Sequence, residues 1–339
     1  MRLIAGFDAG QTHTSCRLAL AREGQGPGVG PVISQGEGPG VCHLAAPEGP
    51  GRFGAALRES LERALAPLAN ATPAAVLVAA AVGASGIEQG TPVQAQGHHL
   101  AANALGLAPE RVVVTGDERT ALRGAFGDGA GIVVISGTGT IAVGRDGHGR
   151  EHRCGGWGWL LDGAGSAMDI GRDGLTLSLH MADGRAPDTP LRRALWEALD
   201  LDPDDPGAPQ RLKALVVAAS FGPAGFARLA PVLDQQAAAG EAEAIAVMER
   251  NAEALAVMAA GVARGLDLVG PAVCTMGGAL DHLAQLRRRF AGSLERALPG
   301  SRLVTATGDA CQGALAMAAD LSAPGCSSSL HPPCNTFRP

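Results

Sequence analysis

Short apolar runs alternate with amphipathic stretches through the first part of the chain. The runs are rich in Val, Ile and Ala and end in glycine turns, which predicts β-strands at 2–7, 14–20, 76–82, 111–115, 131–136 and 139–144. Between them, apolar residues recur at helical spacing at 54–68, 92–105 and 118–126. Strands interleaved with helices predict a layered α/β fold.

The pattern changes after about residue 155, where long alanine-rich helical stretches dominate, notably 223–239 and 241–267. Strand character returns at 271–276 and 302–304, and a final helix is expected at 309–320. We therefore predict one domain over 1–120 and a second, enlarged by helices, over 121–322. The Pro-, Ser- and Gly-rich residues 323–339 are expected to form a disordered tail.

Composition excludes several classes of protein. With 339 residues, 46% of them hydrophobic, the chain can bury a sizeable core in two domains. Its net charge of −6 and its 3% aromatic content argue against a nucleic-acid-binding protein. The chain begins on a strand, with no signal peptide and no apolar stretch long enough to span a bilayer. Seven cysteines without a C-x-x-C pair indicate free thiols, so we expect a cytoplasmic protein without membrane contact.

The first candidate binding element is the turn Asp8-Ala9-Gly10-Gln11-Thr12-His13-Thr14. A strand brings one carboxylate to a glycine turn, and two threonine hydroxyls follow. A phosphate with its Mg²⁺ needs these groups, since the carboxylate orders the metal's water, glycine permits close approach, and N–H and O–H groups donate to phosphate oxygens. A purely structural hairpin turn remains the alternative.

A second turn, Ser136-Gly137-Thr138-Gly139-Thr140, repeats this layout after another buried strand. Residues 137–142 also fit the dinucleotide fingerprint G-x-G-x-x-A, but that motif should open a helix and precede an acidic residue. Here β-branched residues and a further turn follow, which favours a hairpin. Two such turns could hold a polyphosphate.

The chain contains one lysine, Lys213, in a helical run. A Walker A loop requires Gly-Lys-Ser/Thr and a protein-kinase site requires a strand lysine, so both are excluded. If the protein uses ATP, it does so with backbone amides, hydroxyls, carboxylates and Mg²⁺.

Asp117 follows the strand at 111–115, and ligands of open α/β sheets bind at the carboxyl ends of strands. It could accept the proton of an attacking hydroxyl. The structural alternative is an N-cap for the helix that follows.

Several glycine-rich segments could lie flat against a ligand. They are 155–158, containing Trp157; Asp162-Gly163-Ala164-Gly165-Ser166, which opens a helix; and Met276-Gly277-Gly278 after a strand. Ser85 is interpreted as a loop hydroxyl that faces a substrate. His148, His152 and Cys154 have metal-like spacing but no fourth ligand, so zinc is not favoured.

In order and spacing, these segments resemble the N-acetylglucosamine kinase family, grouped with the BadF/BadG-type ATPases in the actin–hexokinase–Hsp70 superfamily. The resemblance runs from residue 1 to about residue 322. It implies two ribonuclease-H-like domains with a nucleotide cleft between them, and ATP-dependent phosphorylation of N-acetylglucosamine or glucosamine at the 6-hydroxyl. It also implies Mg²⁺ as cofactor, with a homodimer as a possible assembly.

The resemblance further implies a role for each matching residue. Asp117 would be the catalytic base, and Asp8 would hold Mg²⁺ through water. The nucleotide would contact Asp8, Gly10, Gln11, Thr12, Thr14, Gly137, Thr138, Gly139, Thr140, Gly277 and Gly278. The sugar would contact Cys42, His43, Ser85, Gly156, Trp157, Asp162 and Ser166.

Two departures from the family pattern concern the sugar. Cys42 stands where the family has a sugar-binding Asn, and Ala164 stands where a Glu is usual, with Asp162 one place early. Two alternatives to a sugar kinase therefore stay open. One is an ATPase that drives a partner protein, although such activators carry cluster-binding cysteines that are absent here. The other is a sugar- or nucleotide-binding module without catalysis.

Overall fold

The computed structural model describes residues 1–22, 28–70 and 73–322. Within them, ten strands form: β1 Arg2–Ala9, β2 His13–Ala21, β3 Val29–Pro39, β4 Val76–Ala84, β5 Val112–Gly116, β6 Gly131–Ser136, β7 Thr140–Arg145, β8 Glu151–Gly155, β9 Ala272–Met276 and β10 Arg302–Leu303. The α-helices are α1 Gly49–Leu65, α2 Pro92–Leu105, α3 Asp117–Phe126, α4 Ala167–Ala182, α5 Pro190–Glu197, α6 Ala208–Val217, α7 Gly222–Ala227, α8 Ala230–Ala238, α9 Ala242–Gly265, α10 Gly278–His282, α11 Ala284–Ala297 and α12 Ala310–Ser322. The α/β fold class is confirmed.

The chain forms two compact units. The first contains Met1–Asp128 and the described residues from Ala306 onward, and the second contains Gly129–Thr305. The predicted domain boundary at residue 120 thus falls inside α3. Helix α12, which the prediction placed in the second domain, packs against β1 and β4 of the first unit. The predicted tail, 323–339, lies outside the described residues.

The first unit is a five-stranded mixed sheet in the order β3-β2-β1-β4-β5, in which β1, β4 and β5 are parallel. Strand β1 is buried on both faces, as its near-continuous apolar sequence requires. Phe53, Leu57 and Leu61 of α1 recur at helical spacing and pack against one face of the sheet. On the other face, Gly6 lets α12 approach closely, since a Cβ atom there would lie 2.5 Å from the backbone nitrogen of Leu315.

The second unit repeats the same strand order. Its sheet runs β10-β9-β6-β7-β8, so that its first strand is again central, its second and third are antiparallel neighbours, and its fourth and fifth extend the sheet in parallel. Helix α9 packs on this sheet, and α4 to α8 form a helical layer around the buried Trp196. The Trp196 Nε1 donates to Ser178 Oγ at 3.0 Å.

The predicted strands are present, but the helical half differs in detail. The stretch predicted as one helix at 223–239 is two helices, α7 and α8, because Pro231 lies in the first turn of α8 and cannot continue a preceding helix. Strands β3 and β8 were not predicted. The sequence of β3 is interrupted by glycine and proline, and that of β8 consists mostly of polar residues. No helix in the described part of the chain is long and apolar enough to cross a membrane.

Candidate active site

The carboxyl ends of the three parallel strands of the first unit form one edge of its sheet. Asp8, Gly83 and Thr115 occupy one row of the strand register, and Asp117 follows β5 directly. Ser85 lies at the same edge, because its backbone N–H donates to Ala9 O at 3.1 Å. The topology therefore brings the predicted base, the predicted metal-binding carboxylate and the predicted substrate-facing serine together.

The first predicted phosphate loop is a tight turn between β1 and β2. The Gly10 N–H donates to His13 O at 3.0 Å, and Gln11 and Thr12 are exposed at its tip. The segment carrying Cys42 and His43 is attached to this turn, since Val41 N–H donates to Gly10 O at 2.9 Å. The predicted sugar residues of the first unit thus lie beside the predicted phosphate residues.

The His43 side chain also lies against the loop that follows β4. A Cβ atom on Gly86 would lie 3.2 Å from His43 Cδ2, so these two loops touch. The ring nitrogen Nδ1 of His43 accepts from Ala45 N–H at 3.2 Å, which leaves Nε2 for a ligand. Cys42 is half-buried, with Sγ 4.0 Å from Glu48 Oε1.

Thr14 differs from its predicted role. Its side chain points to the same face of β2 as Cys16 and Leu18, which belong to the core under α1, whereas Asp8 pairs with Ser15 on the opposite face. Thr14 is fully buried and its Oγ1 has no hydrogen-bond partner in the described structure. This geometry does not support a contact with a nucleotide, and strand periodicity is the physical reason.

Asp117 has the most perturbed carboxyl group of this edge. Burial raises its pKa to about 7, with the nearby carboxylates of Glu118 and Asp8 acting in the same direction and backbone N–H groups of Glu118 and Asp117 opposing them. Helix α3 starts at Asp117 itself and its N-cap is Gly116, so the N-cap alternative for Asp117 is wrong. A carboxyl poised near neutral pH suits proton transfer.

Asp8 is half-buried and accepts no hydrogen bond within the described residues. Burial raises its pKa, which His13 and Arg17 oppose and Asp309 reinforces. Arg17 forms a bidentate pair with Asp309, with N–O distances of 2.7 and 2.5 Å, and Asp309 in turn caps α12 by accepting from Gln312 N–H. Sequence reasoning missed Arg17 because its partner is 292 positions away.

The second unit carries the second predicted phosphate loop. Gly137 N–H donates to Gly139 O at 2.9 Å, which closes the β6–β7 hairpin and confirms the hairpin interpretation over the dinucleotide one. Thr138 and Gly139 are exposed at the tip. Thr140 is buried instead, and its Oγ1 donates to Ala164 O at 3.3 Å.

The glycine-rich segment 162–166 is joined to this hairpin. Ser136 Oγ donates to Gly165 O at 2.6 Å, and Gly165 N–H donates to the buried Asn251 Oδ1 at 2.8 Å. Asn251 is a second residue that sequence reasoning missed, because its spacing on α9 marks it only as a core position. Ser166 is fully buried, and its Oγ caps α4 by accepting from Asp169 N–H at 3.0 Å.

The remaining predicted residues of the second unit lie around the same hairpin. Gly277 has φ +96°, and a Cβ atom there would lie 2.5 Å from Ser136 O, so the Gly277-Gly278 turn requires glycine beside the hairpin. Gly156 packs on Ile141 of β7. Trp157 is 61% exposed, with the Arg153 guanidinium 4.6 Å from the centre of its ring, and Asp162 is half-buried near Gly155.

This arrangement agrees with comparisons to known proteins. Residues 6–318 match the model of the BadF/BadG/BcrA/BcrD ATPase family, which is most of the chain. The chain belongs to this family. The recognition made from the motifs is therefore confirmed, and membership in this ATPase family implies the use of ATP.

Two relatives and one solved structure that resemble this chain are named as N-acetylglucosamine kinases. The N-acetylmuramic acid/N-acetylglucosamine kinase of Clostridium acetobutylicum is 27% identical over 210 residues, 61% of this chain and 67% of that protein. The N-acetyl-D-glucosamine kinase of Dictyostelium discoideum is 29% identical over 197 residues, 56% of this chain and 59% of that protein. A Chromobacterium violaceum structure assigned as an N-acetylglucosamine kinase is 28% identical, with a TM-score of 0.70 over 94% of this chain and 99% of that one.

The residues at the edge of the first sheet fit a magnesium–nucleotide complex. Mg²⁺ keeps several waters and binds through one or two carboxylates together with substrate phosphates, rather than in an all-protein cage. Asp8 offers such a carboxylate, which accepts no hydrogen bond within the described residues. No cluster of three or more His, Cys, Asp or Glu side chains suited to a metal occurs in the described ranges.

Proposed function

We propose that the protein transfers the γ-phosphoryl group of ATP to an amino sugar, N-acetylglucosamine or glucosamine, at its 6-hydroxyl. One observation carries the proposal: Asp117 directly follows the parallel strand β5 at the sheet edge that carries Asp8, and burial raises its pKa to about 7. The ATPase family of the chain and the named activities of its relatives support this assignment.

Asp117 and Asp8 have different roles in the proposed phosphoryl transfer. The Asp117 carboxylate accepts the proton of the sugar hydroxyl as that oxygen bonds to the γ-phosphorus. The bond from the γ-phosphorus to the bridging oxygen then breaks, and ADP leaves. Mg²⁺ bound with the nucleotide would be held through water by Asp8 and would neutralise charge on the phosphates.

The phosphate contacts come from backbone groups and exposed hydroxyls. In the first unit these are the Gly10–Thr12 turn, and in the second unit the Gly137–Gly139 tip with the Gly277-Gly278 turn. Lysine plays no part, because the single lysine of the chain, Lys213, lies on α6. Backbone N–H groups in such turns bind anions without a charged side chain.

The sugar contacts are Cys42, His43 and Ser85 in the first unit and Gly156, Trp157 and Asp162 in the second. The exposed Trp157 ring offers an apolar face to a sugar ring. Thr140 and Ser166 have hydroxyls engaged in the protein itself, so we assign them to positioning their loops rather than to ligand contact.

The test is ADP release measured over a panel of hexoses and amino sugars. We expect turnover that depends on an amino sugar. ADP release without any sugar would instead favour a partner-driving ATPase, and sugar or nucleotide binding without turnover would favour a non-catalytic module.

The test variant is Asp117→Asn. The matched control is Asp128→Asn, because the Asp128 side chain is 78% exposed. We expect Asp117→Asn to lower kcat about 10²- to 10⁴-fold with ATP binding retained. Asp128→Asn should leave kcat within about twofold. Near-normal turnover of Asp117→Asn would reject Asp117 as the base.

A further inference from the structure

Two glutamines near the sheet edge that carries Asp8 have amide orientations that are set by their neighbours. Gln89 lies in the loop after β4, and Gln94 lies in the first turn of α2. Its Oε1 accepts from Gly90 N–H at 2.8 Å. Because a backbone N–H can only donate, this contact fixes which end of the Gln94 amide is oxygen and which is nitrogen.

The nitrogen end of Gln94 is then fully used. Its Nε2 donates to the Val114 carbonyl oxygen at 2.9 Å and to Gln89 Oε1 at 2.7 Å. An amide nitrogen carries two N–H groups, and these two acceptors account for both. The Gln89 atom facing Gln94 must therefore be an acceptor.

The same reasoning orients Gln89. Its Oε1 accepts from Gln94 Nε2 and, at 3.4 Å, from Thr115 Oγ1. Its NH₂ group has no hydrogen-bond partner in the described residues, and the residue is exposed. The network thus holds a glutamine by its oxygen and presents two free donors.

These donors lie near Thr115 at the end of β5. An amide nitrogen is about 2.3 Å from its oxygen, so Gln89 Nε2 is within about 6 Å of the Thr115 hydroxyl. Thr115 precedes Asp117 by two residues and lies in the strand row of Asp8. A hydrogen-bond network of five residues, Gly90, Gln94, Val114, Thr115 and Gln89 itself, thus orders one exposed side chain at this edge.

We propose that Gln89 is a sugar-specificity residue, whose amide N–H groups donate to an acceptor oxygen of the sugar while its own oxygen is held by Gln94 and Thr115. The inference rests on the proposed kinase function. It concerns binding of the sugar rather than proton transfer.

The decisive variant is Gln89→Glu, because a carboxylate still accepts from Gln94 and Thr115 but cannot donate. Gln89→Met removes both functions at similar size. Gln35→Met makes the same change at an exposed position of β3 and serves as the control. All kinetics are measured at pH 9, where the Asp117 carboxyl is ionised in each protein.

We expect the KM for N-acetylglucosamine to rise about tenfold in both Gln89 variants, which corresponds to about 1.4 kcal/mol. The KM for ATP and kcat should stay within about twofold, and Gln35→Met should match the unchanged protein. If Gln89→Glu behaves like the unchanged protein while Gln89→Met is impaired, Gln89 only supports its loop and the proposal is overturned.

Calorimetric titration of N-acetylglucosamine without nucleotide separates this proposal from the kinase assignment. If the unchanged protein binds the sugar but transfers no phosphoryl group, the kinase assignment fails. The Gln89 proposal then stands if Gln89→Glu binds about tenfold more weakly and falls if it binds equally. If the unchanged protein binds neither N-acetylglucosamine nor glucosamine, both fail.

Discussion

The β1–β2 turn of the first unit and the β6–β7 turn of the second unit share one topology but use their side chains in opposite ways. In the second, the hydroxyls of Ser136 and Thr140 donate to the backbone of the segment 162–166. In the first, Asp8 has no hydrogen-bond partner in the described residues. Repetition of a fold therefore does not imply repetition of a role.

The physical difference lies in where polar groups are satisfied. A turn whose side chains bond to the protein contributes a rigid backbone, whose exposed N–H groups can then face a ligand. A turn that leaves a carboxylate unpartnered keeps a charged group for a ligand or a metal. We infer that the first turn contributes the Asp8 carboxylate and that the second turn contributes a rigid backbone with exposed N–H groups.

The largest expected effect comes from exchanging one side chain in each turn. Asp8→Asn should lower kcat/KM about 10³-fold, because it removes the carboxylate proposed to order the metal's water shell. Ser136→Ala should lower stability by about 1–3 kcal/mol, since it leaves the Gly165 carbonyl without its buried donor. Steady-state kinetics of both variants measure kcat/KM, and urea unfolding measures their free energies of unfolding.

The opposite result would contradict this assignment of roles to the two turns. If Ser136→Ala lost activity as severely as Asp8→Asn at unchanged stability, the second turn would also contribute chemistry through its side chains. If Asp8→Asn were stable and fully active, the unpartnered carboxylate would have no role in turnover.

The next largest effect is the pH dependence of kcat/KM, which we attribute to Asp117 in the first unit. With the pKa of Asp117 at about 7, kcat/KM for the sugar should fall about tenfold for each pH unit below 7 and level off above it. Asp117→Asn should remove this dependence from its residual activity. A flat profile between pH 5.5 and 8.5 in the unchanged protein would contradict the assignment.

The same pKa shift predicts a stability effect of definite sign. The pKa of Asp117 in the folded state lies above the unfolded value of 3.8, so the folded protein binds this proton more tightly. The contribution favours folding at low pH and is lost as pH rises through about 7. The melting temperature of Asp117→Asn should therefore exceed that of the unchanged protein by more at pH 8.5 than at pH 5.5.

Sequence reasoning succeeded where the signal is local. A buried strand followed by a glycine turn identified both hairpins, and the position of Asp117 after β5 followed from strand order alone. The predicted start of the final helix at residue 309 agrees with the structure, in which Asp309 caps α12 by accepting from Gln312 N–H, and capping depends only on neighbouring residues.

The sequence could not supply contacts made by distant segments. The Arg17–Asp309 pair joins a strand near one end of the chain to a helix near the other, and Asn251 reaches Gly165 from the middle of α9. Gln89 is an unremarkable loop residue until its amide is seen bonded to Gln94 and Thr115. Such roles depend on tertiary packing, which no local pattern encodes.

Thr14 is a different case, because the sequence itself contains two opposing signals. Alternation along β2 places Thr14 with Cys16 and Leu18 on the core face, whereas its position in the turn motif predicts a contact with phosphate. The structure leaves this hydroxyl buried and unpartnered, whereas the equivalent threonine of the second turn, Thr140, has a partner.

The smallest expected effect is that of two valine substitutions, one in each turn. Thr14→Val should keep or raise stability, by up to about 1 kcal/mol, because it removes a buried hydroxyl that has no partner. Thr140→Val should lower stability by about 1 kcal/mol, because the Ala164 carbonyl loses its donor. Urea unfolding measures both, and the KM for ATP of Thr14→Val should stay within about twofold. A tenfold rise in that KM would show that the Thr14 hydroxyl reaches the nucleotide. The assignment of Thr14 to the core face of β2, away from the ligand, would then be wrong.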